Sequence, residues 1–198
     1  MKTEELLETA ARLKVEEPLL SCHEALSRAA RQLGAGGEQF PPDASCDALE
    51  EAVKRYQALF RPAQPAQLRS LRAGALEAMR FLEAFQPRLV GSVLSGTADA
   101  HSSITLHLFA STPEDVMLFL MEQNIPFDES TRLHRYRDGR SAPHPVFSFV
   151  AGAHPIDLVV FSEKELREAP VGAGETGQIR RANAARVERL LDETPDLG

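Results

Sequence analysis

Most of the features that mark an enzyme or a membrane protein on sight are missing from these 198 residues. No run approaches the ~18–20 consecutive apolar residues that span a bilayer. The charged opening Met1-Lys2-Thr3-Glu4-Glu5 has no apolar h-region or cleavage site. A cytoplasmic protein without membrane association is therefore the expectation. Cysteine is scarce: Cys22 and Cys46 are the only two, and they lack metal-ligand spacing. They read as two thiols of an intracellular chain, with one disulfide as the alternative. There is no Gly-x-Ser-x-Gly elbow, His-Glu-x-x-His or Cys-x-x-Cys, and no Gly-x-Gly-x-x-Gly placed after a strand. An excess of positive charge is also absent. Lys and Arg number 22 against 29 Asp and Glu, for a net charge of −7, which argues against a broad nucleic-acid-binding surface.

What is present divides into two textures. In the first, Leu6, Leu7, Ala10, Ala11 and Leu13 recur at helical spacing, and Leu19, Leu20, Ala25, Leu26, Ala29, Ala30 and Leu33 continue the pattern. Gly34-Ala35-Gly36-Gly37 stops it and Pro41-Pro42 delays a restart. A second helix starts near Asp47, whose carboxylate suits a cap with Glu50 three residues on, and runs toward Phe60. Pro65 fits the first turn of a longer helix through Leu68, Leu71, Leu76 and Met79, closing near Pro87. Beyond Pro87 the period changes. Leu89-Val90 is a short apolar run, and residues 103–109 alternate, with Ile104, Leu106 and Leu108 opposite Ser103, Thr105, His107 and Phe109. Thr112-Pro113-Glu114-Asp115 opens a helix. Leu133–Arg137 predicts a strand turning at Asp138-Gly139, Val146–Val150 and Pro155–Phe161 two more joined at Gly152, and Gln178–Leu191 a closing helix. The fold class implied is α+β: a mixed sheet of about five strands with flanking helices, preceded by an N-terminal helical region. The boundary falls so that residues 1–62 form the helical region and 63–198 the α+β domain.

One stretch carries chemistry. Gly91 and Gly96 have the glycine spacing of a phosphate-binding P-loop, but Thr97-Ala98 follows where Lys-Ser/Thr is needed. A closer match is a strand ending in Gly91-Ser92, then Ser102-Ser103-Ile104-Thr105-Leu106, then Asp157 inside the apolar run Ile156–Val160. This order resembles the nucleotidyltransferase superfamily of polymerase-β-like enzymes over roughly Met79 to Phe161, and the Pro-Arg-Leu-Val-Gly and Leu-His-Leu-Phe wording is similar to small bacterial members. The resemblance implies that Gly91 and Ser92 approach the phosphates of a nucleoside triphosphate. It implies that positions 103, 105 and 157 hold Mg²⁺ or Mn²⁺, because alternate strand residues point the same way. Such metals stabilise the attacking and leaving oxygens of nucleotidyl transfer.

The chain departs from that pattern where the chemistry is most demanding. Ser103 and Thr105 stand in place of two carboxylates, and neutral hydroxyls bind Mg²⁺ far less well. Three outcomes follow: binding of a nucleotide without turnover, substitute ligands such as His107, Asp99 or His101, or a plain half-buried strand. A carboxylate flanked by Ile156 and Leu158 must face water, a cation or hydrogen-bond donors, so Asp157 is the leading single position. Arg132, Arg135, Arg137 and Arg140, with His134 and His144, gather around Asp138-Gly139. Arg135 and Arg137 there could clamp phosphates, or the cluster could be a solvated hairpin that keeps an edge from pairing. Arg180 and Arg181 at the start of a helix would oppose its dipole, which hints at an external partner. A different class of function is an inactive module whose N-terminal helices dock a protein partner.

Overall fold

The computed structural model describes residues 2–17, 20–36, 40–60, 64–99, 101–172 and 177–193. The chain divides into two compact units, Met1–Gln64 with Gly172–Gly177, and Pro65–Val171 with Gln178–Gly198.

The first unit is built from helices α1 (Thr3–Glu16), α2 (Cys22–Gln32) and α3 (Cys46–Phe60). The long apolar pattern of the sequence is thus two helices rather than one; Leu19, which would continue it, lies outside the described residues. Ser21 starts α2 with a reciprocal cap: its Oγ accepts from Glu24 N–H (3.2 Å) and Glu24 Oε2 accepts from Ser21 N–H (2.8 Å). The cap of α3 is Ser45, whose Oγ accepts from Ala48 N–H at 3.1 Å, and not Asp47, which sits inside the first turn. Ala10, Ala25, Ala29 and Ala30 are fully buried between Leu6, Leu26, Leu49 and Val53, small side chains that let the helix axes approach. The two expected thiols are one disulfide, Cys22–Cys46, with Cα atoms 5.7 Å apart at the starts of α2 and α3.

The second unit is α+β with a five-stranded mixed sheet in the order β1-β2-β5-β4-β3. The strands are β1 (Arg88–Val90), β2 (Ile104–Ala110), β3 (Asp128–Arg135), β4 (Ser141–Ala151) and β5 (His154–Ser162). The β2–β5 pair is parallel; the other pairs are antiparallel. Helix α4 (Gln64–Phe81) ends before Pro87, and a 3-10 turn at Glu83–Phe85 covers the difference. Helix α5 (Gly91–Ser95) follows β1 directly, and α6 (Pro113–Glu122) begins at Thr112, whose N–H donates to Asp115 Oδ2 (2.9 Å). Strand alternation gives the sheet two unlike faces. Ile104, Leu106, Leu108, Ile156, Leu158 and Val160 form one, packed against Leu71, Ala75 and Met79 of α4, Val116 and Leu120 of α6, and Val187 of the last helix. On the other, Phe109, Val146, Val159 and Phe161 make a smaller cluster closed by Leu166.

Three expectations change, the first being β4, which runs Ser141–Ala151 and not only Val146–Val150. Strand β3 is longer than Leu133–Arg137 and begins at Asp128, because pairing with β4 runs on to Ser148. The last helix, α7 (Ala184–Asp192), starts six residues later than Gln178, with Asn183 Oδ1 accepting from Arg186 N–H at 3.0 Å. Ahead of it the backbone is extended: Ala182 exchanges hydrogen bonds with Leu89 (2.8 and 2.9 Å). Partners on the outer edge of β1 outcompete a first helical turn.

Candidate functional site

The polar end of the second face is assembled by strand register. β1 ends at Val90 opposite Thr105, and Thr105 lies opposite Asp157 on the neighbouring parallel strand. Gly91 turns out of β1 at φ +73°, a left-handed conformation that a side chain would strain. Ser92 C=O then accepts from the N–H groups of Gly96, Thr97 and Ala98 (2.9, 3.0 and 3.2 Å). Gly91, Ser92, Ser103, Thr105 and Asp157 are therefore brought together around the starts of β2 and β5. Ser103 lies one residue ahead of β2 and is half-buried.

The carboxylate meets hydrogen-bond donors. Ser148, paired with Asp157 on β4, donates its hydroxyl to Asp157 Oδ1 at 2.8 Å, and Arg132 Nη2 lies 3.4 Å from Oδ2. Two of the substitute ligands, Asp99 and His107, are engaged elsewhere. Asp99 Oδ1 accepts from His101 N–H and from Ser102 Oγ, both at 3.0 Å. His107 is almost wholly buried, and its Nδ1 accepts from Arg181 Nε at 3.0 Å. Burial first, then the positive charge of Arg181, pushes the His107 pKa down to about 2. Among the described residues no group of three or more His, Cys, Asp or Glu side chains is arranged to hold a metal ion. With Ser103 and Thr105 neutral, one carboxylate remains, and these residues do not fit a pair of Mg²⁺ or Mn²⁺ ions.

Arg135 and Arg137 stand apart from this end. Arg137 is in the turn between β3 and β4, and Arg135 lies seven residues along β3 from the partner of Ser148, about 23 Å away at strand rise. Parity also places Arg135 on the opposite face from Arg132. Arg132 is the hairpin arginine that reaches the candidate site.

Sequence reasoning missed what lies beyond Asp157 on the same face. His134 and His144, expected on a solvated hairpin, are buried. Their Nδ1 atoms are 3.2 Å apart, and His144 Nε2 is 3.2 Å from Glu165 Oε1. Tyr136, also buried, donates its hydroxyl to the same Glu165 oxygen. Ser162 adds donors from its N–H (3.0 Å) and Oγ (2.7 Å) to Oε2. Burial works to raise the Glu165 pKa, but the hydrogen bonds from Tyr136, Ser162 and His144 outweigh it and hold the carboxyl at about 2. Tyr136 moves upward, through burial and its bond to Glu165. His134 is pushed down to about 4 by burial, helped by His144 and Arg132.

Arg181 closes the cluster from the extended segment before α7, and not from the helix start that the sequence suggested. Its Nη1 donates to Glu165 C=O at 2.8 Å. The guanidinium carbon lies 4.9 Å from the ring centres of both Phe109 and Phe161, and the buried Nη2 has no hydrogen-bond acceptor among the described residues. Stacking on aromatic faces is the compensation available to it. Burial lowers its pKa to about 10. The signal that could have found this cluster is period two: His107 and Phe109 alternate, as do His134 and Tyr136, and each pair shares a face.

No protein-family model matches this chain, and no curated protein or solved structure is significantly similar to it.

Proposed function

We propose that this chain is a nucleotidyltransferase-like protein that binds a nucleoside triphosphate at Gly91, Ser92, Thr105 and Asp157 without turning it over. The observation that carries the reading is the register Val90–Thr105–Asp157 across three adjacent strands, which sets the Gly-Ser turn at the same end of the sheet as the one remaining carboxylate, two strands away. Arg132, half-exposed beside Asp157, supplies a guanidinium for phosphate oxygens. A divalent cation enters only as the counter-ion carried in by the triphosphate. Turnover is set aside because hydroxyls at 103 and 105 cannot replace two carboxylates. A cytoplasmic address belongs to the same reading; the Cys22–Cys46 disulfide is the observation against it, since such bonds persist in oxidising compartments.

Titration calorimetry with each nucleoside triphosphate, with and without Mg²⁺ or Mn²⁺, tests this. Binding that Arg132→Ala weakens and Asp157→Ala alters supports it. A double variant sharpens the geometry: Ser103→Asp with Thr105→Asp creates Mn²⁺ affinity if the positions converge, and a folded double variant that binds no metal sinks the assignment. No heat from any nucleotide favours the second reading, a protein-binding module docking through the N-terminal helices. The feature behind that reading is the pair Leu59 and Phe60, 77% and 66% exposed at the end of α3.

A further inference from the structure

The sheet ends on β3, and the pairing of that strand determines which backbone groups face outward. Tyr136 N–H donates to Arg140 C=O on the β4 side (2.8 Å), whereas Arg135 C=O accepts from Val171 N–H on the other side (2.7 Å). Strand alternation then directs the N–H and C=O groups of Glu129, Thr131 and Leu133 away from β4. Among the described residues, β4 and the single bridge from Val171 to Arg135 are the only neighbours of β3. Residues Asp128 to Leu133 are all exposed, Leu133 by 69%. An edge of this length is a template for another strand, and charges on it normally prevent pairing. Here the charges change sign along the strand, acidic at Asp128 and Glu129 and basic at Arg132 and Arg135.

We propose that this edge pairs antiparallel with the same edge of a second copy of the chain, centred on Ser130, so that two sheets join into one. In that register each Asp128 lies opposite Arg132 of the other copy, on the face that carries Asp157. Each Leu133 lies opposite Phe127 of the other copy, on the helix-covered face. Glu129 and Thr131 of the two copies exchange backbone hydrogen bonds, both having outward N–H and C=O groups. A two-fold axis produces every contact twice. Centring on Thr131 instead would set Glu129 against Leu133 and Ser130 against Arg132, which matches neither charge nor polarity. The Val171 bridge at Arg135 limits pairing to the Phe127–Leu133 stretch, which the Ser130 centre uses symmetrically. Arg132 serves both partners: its guanidinium has five donors, one of which reaches Asp157.

The proposal does not depend on nucleotide binding, and its test involves none. Sedimentation velocity of the full chain over a concentration series reads the association constant, with circular dichroism verifying that each variant is folded. A reversible dimer is expected. Asp128→Arg sets like charges opposite each other twice and lowers the association constant roughly tenfold. Thr131→Pro, which removes an outward donor without touching the bonds to β4, weakens it as well. For the register, Ser130→Cys cross-links to a covalent dimer on oxidation, since directly opposed residues at a non-hydrogen-bonded position have Cα atoms about 4.5 Å apart; Asp128→Cys does not. A chain that stays monomeric at every concentration overturns the proposal. So does a dimer indifferent to both Asp128→Arg and Thr131→Pro, and cross-linking through Asp128→Cys in preference to Ser130→Cys overturns the register.

Discussion

Acid should destabilise the sheet unit between pH 7 and pH 5, and the two depressed histidines, His134 and His107, determine how steeply. His134 is held down to about 4 and His107 to about 2, against 6.5 for a free imidazole. Both are neutral in the folded protein and both take up a proton on unfolding once the pH is below 6.5. Their contribution is therefore fully present above 6.5 and is lost as the pH falls toward each folded value. Each group costs about 1.4 kcal/mol per pH unit over its window, so the pair lowers stability by about 4 kcal/mol between pH 7 and pH 5. That is a large part of the ~5–15 kcal/mol that holds a typical domain together. Urea unfolding followed by circular dichroism at half-unit pH steps should show the midpoint falling through this range while the slope with denaturant stays constant. His134→Leu should flatten the dependence by about half, at some cost in stability at pH 7. A midpoint that does not move between pH 7 and pH 5, or His107 ring resonances that titrate in the native state near pH 6, would show that burial does not hold these rings neutral.

Two further outcomes rest on single interactions. Glu165→Gln keeps the volume but loses the anion that Tyr136, His144 and Ser162 bond, and thermal or urea unfolding at pH 7 should report a loss of about 2 kcal/mol; an unchanged midpoint would show that the network contributes nothing net. Reducing Cys22–Cys46 opens a loop with a sequence separation of 24, for which chain-entropy arithmetic gives about 3.5 kcal/mol. Helical signal from the first unit should therefore melt earlier in a thiol reductant, and equal melting with and without it would refute the loop-closure account.

The elements with a strong period were legible in the sequence. Strand β2 with its two faces, the Asp138-Gly139 and Gly152 turns, and the Thr112 start of α6 needed only alternation, glycine and a capping residue to be read. What failed was set by partners distant in sequence. Gln178–Asn183 has helical composition but is extended because Leu89 offers backbone partners. Asp47 has good capping chemistry and lost the position to Ser45, one residue ahead of the helix. The arginines and histidines of the hairpin looked alike in sequence, yet strand parity buries His134 and His144 on one face, sets Arg135 on the other, and the turn leaves Arg137 exposed. At the candidate site, only the family resemblance related positions 105 and 157; their opposition comes from the β2–β5 register. The donors that occupy Asp157, Ser148 and Arg132, come from strands whose register no local pattern specifies.

The segment from Gln178 to Leu191 bears on how the protein is made. It edges β1 through Ala182 and fills the cluster with Arg181. It also supplies the carbonyls of Leu190 and Leu191 to Arg72 and Arg69 of α4, at 3.2 and 3.0 Å. These contacts span from 74 to 122 residues, so a ribosome that has delivered all five strands has still not delivered the parts that satisfy His107 and the end of β1. Translation therefore completes the second unit only after its last helix has emerged. A stop codon before Arg181 leaves β1 without its outer partner and His107 without its donor, a target for proteolysis rather than a shorter working protein.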